Sequence, residues 1–352
     1  MSSALARPEI LTLKPYVTAI QEPGTLRLNA NEAPRSPLDD GLNRYPPIRP
    51  AGLQEKLAAL FGVAQQNLLA TRGSSEAIDL ITRAFCRAYQ DSVLVMPPTF
   101  SMYRVYAGMQ GAAVVEVPLN AENNFCLNAN EVLARCTDNC KLIFICSPNN
   151  PTGTSVPFPE IEKLLRSRAG KSLIVVDEAY IEFSDADSVA LQLARFDNLV
   201  VLRTLSKAWG LAGTRCGAVI GNEGIIELLG RLVPPYAFST PSSDRVLQSL
   251  SRVGESNARK LVAETIAERE RVRNALRDLP CVTRVWPSDA NFLLVKFASL
   301  GDVSKLLAQN HVLVRAFADS PLLANCARIT IGTIEQNDQL LKALDDQSGS
   351  RS

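Results

Sequence analysis

Residues 198–221, NLVVLRTLSKAWGLAGTRCGAVIG, hold two short apolar runs, 199–203 and 217–221, on either side of a loop that carries Lys207 and Arg215. Each run has the length and composition of a strand buried on both faces. The loop is too short for a helical crossover, so the second run is expected to return antiparallel to the first. Lys207 stands just past the carboxyl end of the first run, where open α/β sheets gather their ligands. Thr204, Ser206 and Arg215 add two hydroxyls and a guanidinium, a set that can hold a phosphate beside an imine-forming amine. An imine needs a neutral amine, which desolvation or a neighbouring cation such as Arg215 favours. Taken alone, the segment also suits a solvated surface lysine.

The same pattern extends outward. Apolar runs at 67–70, 92–96, 113–117, 141–146 and 172–176 alternate with helical patterns at 53–61, 75–89, 102–110, 130–135, 158–168 and 223–233. Short apolar strands separated by helices predict a mainly parallel sheet covered on both faces. A long charged amphipathic helix over 254–279 then suits a link between two domains. Residues 282–345 read as a smaller α+β unit, with strands at 291–296, 312–315 and 327–331, a helix at 303–309 and a C-terminal helix. The first 50 residues, rich in proline, asparagine and turns, read as an extended arm, and the tail QSGSRS (347–352) as frayed.

A chain of 352 residues has room for about two domains, and 46% apolar residues supply a sizeable core. Lysine plus arginine (37) nearly balance aspartate plus glutamate (36), so no global field draws nucleic acid or an anionic membrane. Anionic ligands must be selected by a few placed arginines. The opening MSSALARPEILTLKP lacks the apolar core of a signal peptide, and no apolar run approaches the ~20 residues of a spanning helix. These features read as a soluble, cytoplasmic protein. The eight cysteines are scattered; Cys136 and Cys140 are four apart, but no second pair or nearby histidine completes a zinc set, and no metal is expected. His311, in AQNHVLVRA, is the single histidine, so proton transfer is expected from lysine, carboxylate or tyrosine instead.

Other strand ends bear on Lys207. LIVVDEAYIEF (173–183) sets Asp177 at the end of an apolar run, with Tyr180 three residues on. A carboxylate there can pair with a protonated pyridine nitrogen and keep the ring an electron sink. It could instead bind magnesium, but no GxxxxGK(S/T) phosphate loop accompanies it. LIFICSPNNPTG (142–153) places Asn150 where its amide can donate to a phenolate oxygen, as Tyr180 can; turn chemistry alone also accounts for the segment. ATRGSSEAIDLITRAF (70–85) reads as strand, glycine turn and helix, and the free N–H groups near Ser74 and Ser75 make an anion site or an ordinary helix cap. MPPTFSMY (96–103) brings Phe100, which can stack on a pyridine ring or simply fill the core.

In this order, RGSSEAIDL, PPTFSMY, SPNNPTG, VVDEAYIEF and TLSKAWGLAGTRCG resemble the fold-type I pyridoxal-phosphate enzymes of the aspartate-aminotransferase superfamily. LNANEAP, NRYP, PPYAFSTP and ARITIGT narrow the resemblance to the histidinol-phosphate aminotransferase family, from Leu13 to about Leu344. The resemblance implies an α/β fold: a large domain whose mostly parallel seven-stranded sheet lies between helices, and a smaller α+β C-terminal domain. It divides the chain into an N-terminal arm at 1–50 packed on the small domain and a partner subunit, a cofactor domain at 51–253, an interdomain helix at 254–279 and the small domain at 280–352.

The implied cofactor is pyridoxal 5'-phosphate, with Lys207 as Schiff-base lysine and proton shuttle. Asp177 would pair with the pyridine nitrogen, Asn150 and Tyr180 would contact the ring oxygen, and Phe100 would stack on the ring. Ser74, Ser75, Thr204, Ser206 and Arg215 would surround the phosphate, although relatives often carry alanine and an acid where Ser74 and Ser75 stand, and tyrosine where Phe100 stands. Tyr45 would reach the phosphate of the partner subunit, which implies a homodimer with shared active sites. Arg328 would grip a substrate carboxylate, Arg315 would be a second substrate-binding arginine, and Tyr16, Asn31 and Tyr236 would line the substrate pocket.

The implied reaction moves an amino group between L-histidinol phosphate and 2-oxoglutarate, giving imidazole-acetol phosphate and L-glutamate, a step of L-histidine biosynthesis. Threonine-phosphate decarboxylase and aromatic aminotransferases use the same lysine, aspartate and arginines and differ in pocket shape. A non-catalytic cofactor-binding regulator would need a DNA-reading extension, which the first 50 residues do not supply. A nicotinamide oxidoreductase would need a strand followed by GxGxxG.

Overall fold

A computed structural model describes residues 2–16 and 24–349. Seven strands form the larger sheet: β1 (Leu68–Thr71), β2 (Ser92–Val95), β3 (Ala113–Glu116), β4 (Cys140–Cys146), β5 (Leu173–Asp177), β6 (Leu199–Thr204) and β7 (Gly217–Gly221). Their order is β1-β7-β6-β5-β4-β2-β3. β3, β2, β4, β5 and β6 pair in parallel, while β7 lies antiparallel to both β6 and β1. The antiparallel return expected from the short loop is therefore present, with β7 inserted beside β1.

Alternation along each strand explains the unbroken apolar runs. In β5, Ile174 and Val176 enter one core while Leu173 and Val175 enter the other. The first core is closed by helices α2 (Ala51–Leu60), α5 (Ala129–Arg135), α6 (Phe158–Ser167) and α8 (Thr240–Ser249). The second is closed by α1 (Pro8–Thr12), α3 (Ser74–Phe85), α4 (Met102–Gln110) and α7 (Glu223–Gly230). A sheet buried on both faces has no polar side to write into its sequence.

The long helix α9 (Arg252–Arg277) leads to a second sheet of β8 (Val282–Val285), β9 (Phe292–Phe297), β10 (Arg315–Ala316) and β11 (Cys326–Thr330), antiparallel in the order β10-β11-β9-β8. Helices α10 (Leu300–Gln309) and α11 (Ile334–Gly349) pack with α9 over its apolar face. Arg269 of α9 is buried and donates to the carbonyls of Phe183 and Ala290, at 3.1 and 3.0 Å, tying the helix to both sheets' surroundings. Gly153, at φ +80°, sits so close to Ser288 that a Cβ would stand 2.3 Å from its Oγ, and Asp289 N–H donates to Gly153 O at 2.8 Å. The SPNNPTG turn thus presses against the second sheet's leading loop.

Several expectations shift. The helix read over 75–89 starts at Ser74 and stops at Phe85, because Asp91 captures the Arg87 N–H and Tyr89 takes a left-handed φ of 61°. The strand read at 312–315 contracts to Arg315–Ala316. Helix α8 and strand β8 have no counterpart in the sequence pattern. The start of the arm packs on the large sheet and not on the small domain: Ala6 and Ile10 are buried with α3 and α7, and Arg7 N–H bonds Ala84 O at 2.9 Å. The apolar face of residues 2–12 finds its nearest cover there. Residues 350–352 of the tail lie outside the described residues. No helix among the described residues is long and apolar enough to cross a membrane.

Candidate active site

The carboxyl ends of β1, β4, β5 and β6 open on one cleft of about 270 Å³, lined by Ser74, Ser75, Phe100, Cys146, Asn150, Asp177, Tyr180, Thr204, Ser206, Lys207, Arg215 and Arg328 among others. All eleven residues that the sequence assigns to the cofactor within one subunit or to Arg328 meet here.

Asp177 ends β5 at the bottom of the cleft, 2% exposed. Its Oδ2 accepts from Tyr103 Oη at 2.9 Å and its Oδ1 from Ala179 N–H at 3.1 Å. Burial pushes its pKa up to about 6, against the opposing pull of these two donors and of Lys207. A carboxylate so placed favours a cation in front of it.

Lys207 projects from the loop after β6 and remains open to the cleft. Its Nζ lies 5.5 Å from the centre of the Tyr180 ring. Desolvation, then the charges of Arg328 and Arg215, hold its pKa below the usual lysine range, and Asp177 opposes them. These are the conditions for a neutral, nucleophilic amine.

Tyr180 follows β5 and is buried edge-on against Phe292 of the second sheet, with centroids 5.1 Å apart. Asn150 Nδ2 donates to Tyr180 Oη at 3.4 Å, and Asn150 Oδ1 accepts from Arg328 Nη1 at 2.5 Å. The two polar groups expected at a ring oxygen are therefore neighbours, and Asn150 couples them to Arg328.

At the other end of the cleft, β1 turns through Gly73 into α3. A Cβ on Gly217 would stand 2.6 Å from Arg203 O and 3.0 Å from Gly73 Cα, and one on Gly73 (φ +79°) 2.8 Å from an Arg215 guanidinium nitrogen. Only glycine permits this approach, which sets Arg215 against the N-terminus of α3. Thr204 Oγ1 donates to Ser206 Oγ at 3.0 Å, placing both hydroxyls beside that terminus. Free helix N–H groups, hydroxyls and a guanidinium together form an anion site.

Arg328 and Arg315 face each other in register on β11 and β10. Arg328 lies over Phe292, 5.4 Å from the ring centre, and borders both the Lys207 cleft and an adjoining one, of which Arg315 is also a wall. Among the described residues, neither arginine has a carboxylate within ion-pair distance, unlike the salt-bridged surface pair that composition alone allows.

Residues 22–344 match the model of the class I and II aminotransferases. The chain belongs to this family. It is 40% identical to the histidinol-phosphate aminotransferase of Francisella philomiragia over 97% of this chain and 95% of that one. It is 45% identical to that of Xanthomonas axonopodis pv. citri over 91% of this chain and 90% of that one. Its fold matches the crystal structure of the histidinol-phosphate aminotransferase from Clostridium acetobutylicum with a TM-score of 0.79 at 21% identity, over 88% and 91% of the two chains. The chain is thus a pyridoxal-phosphate-dependent aminotransferase of the histidinol-phosphate aminotransferase family.

The aminotransferase cleft fits that cofactor on its own terms: an anion site at one end, a buried carboxylate with no ion pair among the described residues at the other, and an amine and an aromatic face between. Phe100 supplies the face, half-buried and edge-on to Tyr103 at 5.6 Å. Tyr45, Tyr236, Asn31 and Tyr16 do not line this cleft. Tyr45 is 47% exposed and stacks on Tyr236 at 4.5 Å; Asn31 turns the chain at φ 55°; Tyr16 is 66% exposed beside residues outside the described set. Glu32, nearly buried, gathers this region by accepting from Arg27, Arg44 and the Tyr45 N–H. The sequence pattern gives no role to Cys146, which lines the cleft beside Asp177 in the sheet register, or to Tyr103, buried beneath Asp177. The position of Tyr103, one turn into the helix after MPPTF, was the available signal.

Proposed function

We propose that this enzyme transfers an amino group between L-histidinol phosphate and 2-oxoglutarate, working in the cytoplasm as a homodimer. The observation that carries the substrate reading is the pair Arg315 and Arg328, in register, Arg328 lining the Lys207 cleft and both lining the adjoining one, without carboxylate partners among the described residues. One site must take a phosphate in one half-reaction and a carboxylate in the other, and a guanidinium fork binds both. The family names of the relatives support the same choice.

Bound pyridoxal phosphate supplies the aldehyde that captures amino groups and the ring that withdraws electrons from the substrate carbon. The protein's residues do the rest. Ser206, Thr204, Arg215 and the α3 terminus at Ser74 and Ser75 anchor the phosphate. Asp177 would pair with the ring nitrogen and favour its protonated form. Asn150 and Tyr180 would hold the ring oxygen, and Phe100 would cover one ring face. Lys207 would hold the cofactor through its Nζ, and the same Nζ, as a free amine, would take up and give back the proton at the substrate carbon. Arg328 fixes the carboxylate or phosphate so that this carbon stays within reach of Nζ, with Arg315 beside it.

The dimer reading draws on the arm. Leu26, Leu28 and Leu38 are 84%, 86% and 84% exposed on this chain, an apolar surface suited to a second copy. Tyr45 lies in the same stretch and would reach the partner subunit's cofactor phosphate, with Tyr16, Asn31 and Tyr236 completing the substrate pocket. Eight cysteines without a disulfide suit a reducing compartment.

The test is a spectral titration of the yellow holoenzyme with L-histidinol phosphate, phenylalanine and aspartate, followed by assay for glutamate with 2-oxoglutarate. Bleaching at the lowest concentration by L-histidinol phosphate, with glutamate formed, is expected. Preference for phenylalanine would make it an aromatic aminotransferase, and carbon dioxide release from threonine phosphate a decarboxylase.

A further inference from the structure

Beneath Asp177 lies Tyr103, a fully buried phenol on the first turn of α4. Its ring stacks flat on Phe144 of β4, with centroids 4.8 Å apart and planes 6° from parallel. Its edge contact with Phe100 is at 85°. These two contacts aim the hydroxyl past β4 toward β5, where it reaches Asp177 Oδ2. Ala179 N–H holds the other carboxylate oxygen. Each oxygen is therefore tied once on the protein side, which fixes the plane of a carboxylate whose χ2 torsion is otherwise soft. Burial, reinforced by the charge of Asp177, keeps the phenol neutral well above the usual tyrosine range, so it remains a donor at any working pH. The same bond opposes the effect of burial on Asp177.

We infer that Tyr103 is a positioning residue: its hydroxyl orients the Asp177 carboxylate and keeps it ionised toward the cofactor's ring nitrogen. The inference rests on the reading of Asp177 given above. Tyr103 touches no substrate, and its contact with Phe100 makes the same side chain a support for the stacking face.

Tyr103→Phe removes only the hydroxyl and keeps both ring contacts. Cofactor-free protein reconstituted with pyridoxal phosphate is expected to bind it roughly ten-fold more weakly, the scale of one hydrogen bond to a charged group. kcat falls by a similar factor while KM for L-histidinol phosphate is unchanged. The pH midpoint of the colour change of Lys207-bound cofactor moves upward, because a less firmly protonated ring repels a proton on the lysine nitrogen less strongly. Asp177→Asn, measured alongside, should shift that midpoint further in the same direction. If Asp177→Asn shifts the midpoint and Tyr103→Phe leaves midpoint and affinity untouched, the inference is overturned and the reading of Asp177 stands. If neither variant moves the midpoint, the reading of Asp177 falls as well. A lowered melting temperature in Tyr103→Phe with an unmoved midpoint would reduce Tyr103 to packing and likewise overturn the inference.

Discussion

The floor of the cleft and its rim are built differently. On the floor, Asp177, Tyr103, Asn150 and Tyr180 are buried and bonded to one another or to backbone, all held by the strand ends of the large sheet and the chain just beyond them. On the rim, Arg315 and Arg328 stand on the smaller sheet, Arg315 exposed and Arg328 bonded only through Asn150 among the described residues. Tyr45 and Tyr16 are exposed as well. A rigid, satisfied floor suits a group that stays through every turnover. A rim of unneutralised cations suits ligands that must come and go and that differ in shape.

Substitutions on the floor should therefore act on kcat, and those on the rim on substrate capture. Lys207→Ala should cost the most, roughly 10⁴-fold or more in kcat with no borohydride-fixable colour; full activity would sink the mechanism. Asp177→Asn should retain cofactor yet lose on the order of 10²–10³ in kcat, the scale of removing one group that stabilises developing charge. Near-normal turnover there would show that the floor's carboxylate is not an electronic partner. For the rim, Arg328→Ala should lower kcat/KM by roughly a hundred-fold. Arg315→Ala should lower it by roughly ten-fold, mostly through KM. A pure kcat effect in steady-state kinetics of both would erase the distinction between floor and rim.

The smallest effect concerns stability. Asp177 titrates at about 6 in the cofactor-free fold against an ordinary 3.8, so between those values the folded state holds more protons than the unfolded one. Its contribution to stability is present at the acid end and is lost as pH rises through about 6. Cofactor-free protein should thus melt closer to its Asp177→Asn variant at low pH than at neutral pH, where the variant gains. Equal differences in Tm at both ends would contradict this.

Most of the floor was legible because Asp177, Tyr180 and Asn150 follow apolar runs, and strand ends of such sheets converge. Lys207, Asp177, Asn150 and the Ser74–Ser75 turn were found by that rule. The rule cannot say which side chain lies under another, so Tyr103, on a helix turn, escaped it. Helix α8 escaped because TPSSDRVLQS has few apolar positions; it is set by the Ser239 cap, which accepts from Ser242 N–H, and by a proline in its first turn. Strand β8, VTRV, is short and lies at a sheet edge, with too few residues for a period to show. The arm had no period at all. Its place on the large sheet depends on which apolar face lies nearest, a matter of tertiary packing.

The hairpin of β6 and β7 has one further consequence. Thr204 pairs with Gly217, so Lys207 and Arg215 leave and re-enter the sheet through the same rung. The covalent tether and the guanidinium at the phosphate end are thereby spaced by a single loop, a ruler cut to one length. Any insertion between them would miscalibrate the site even if every side chain were kept.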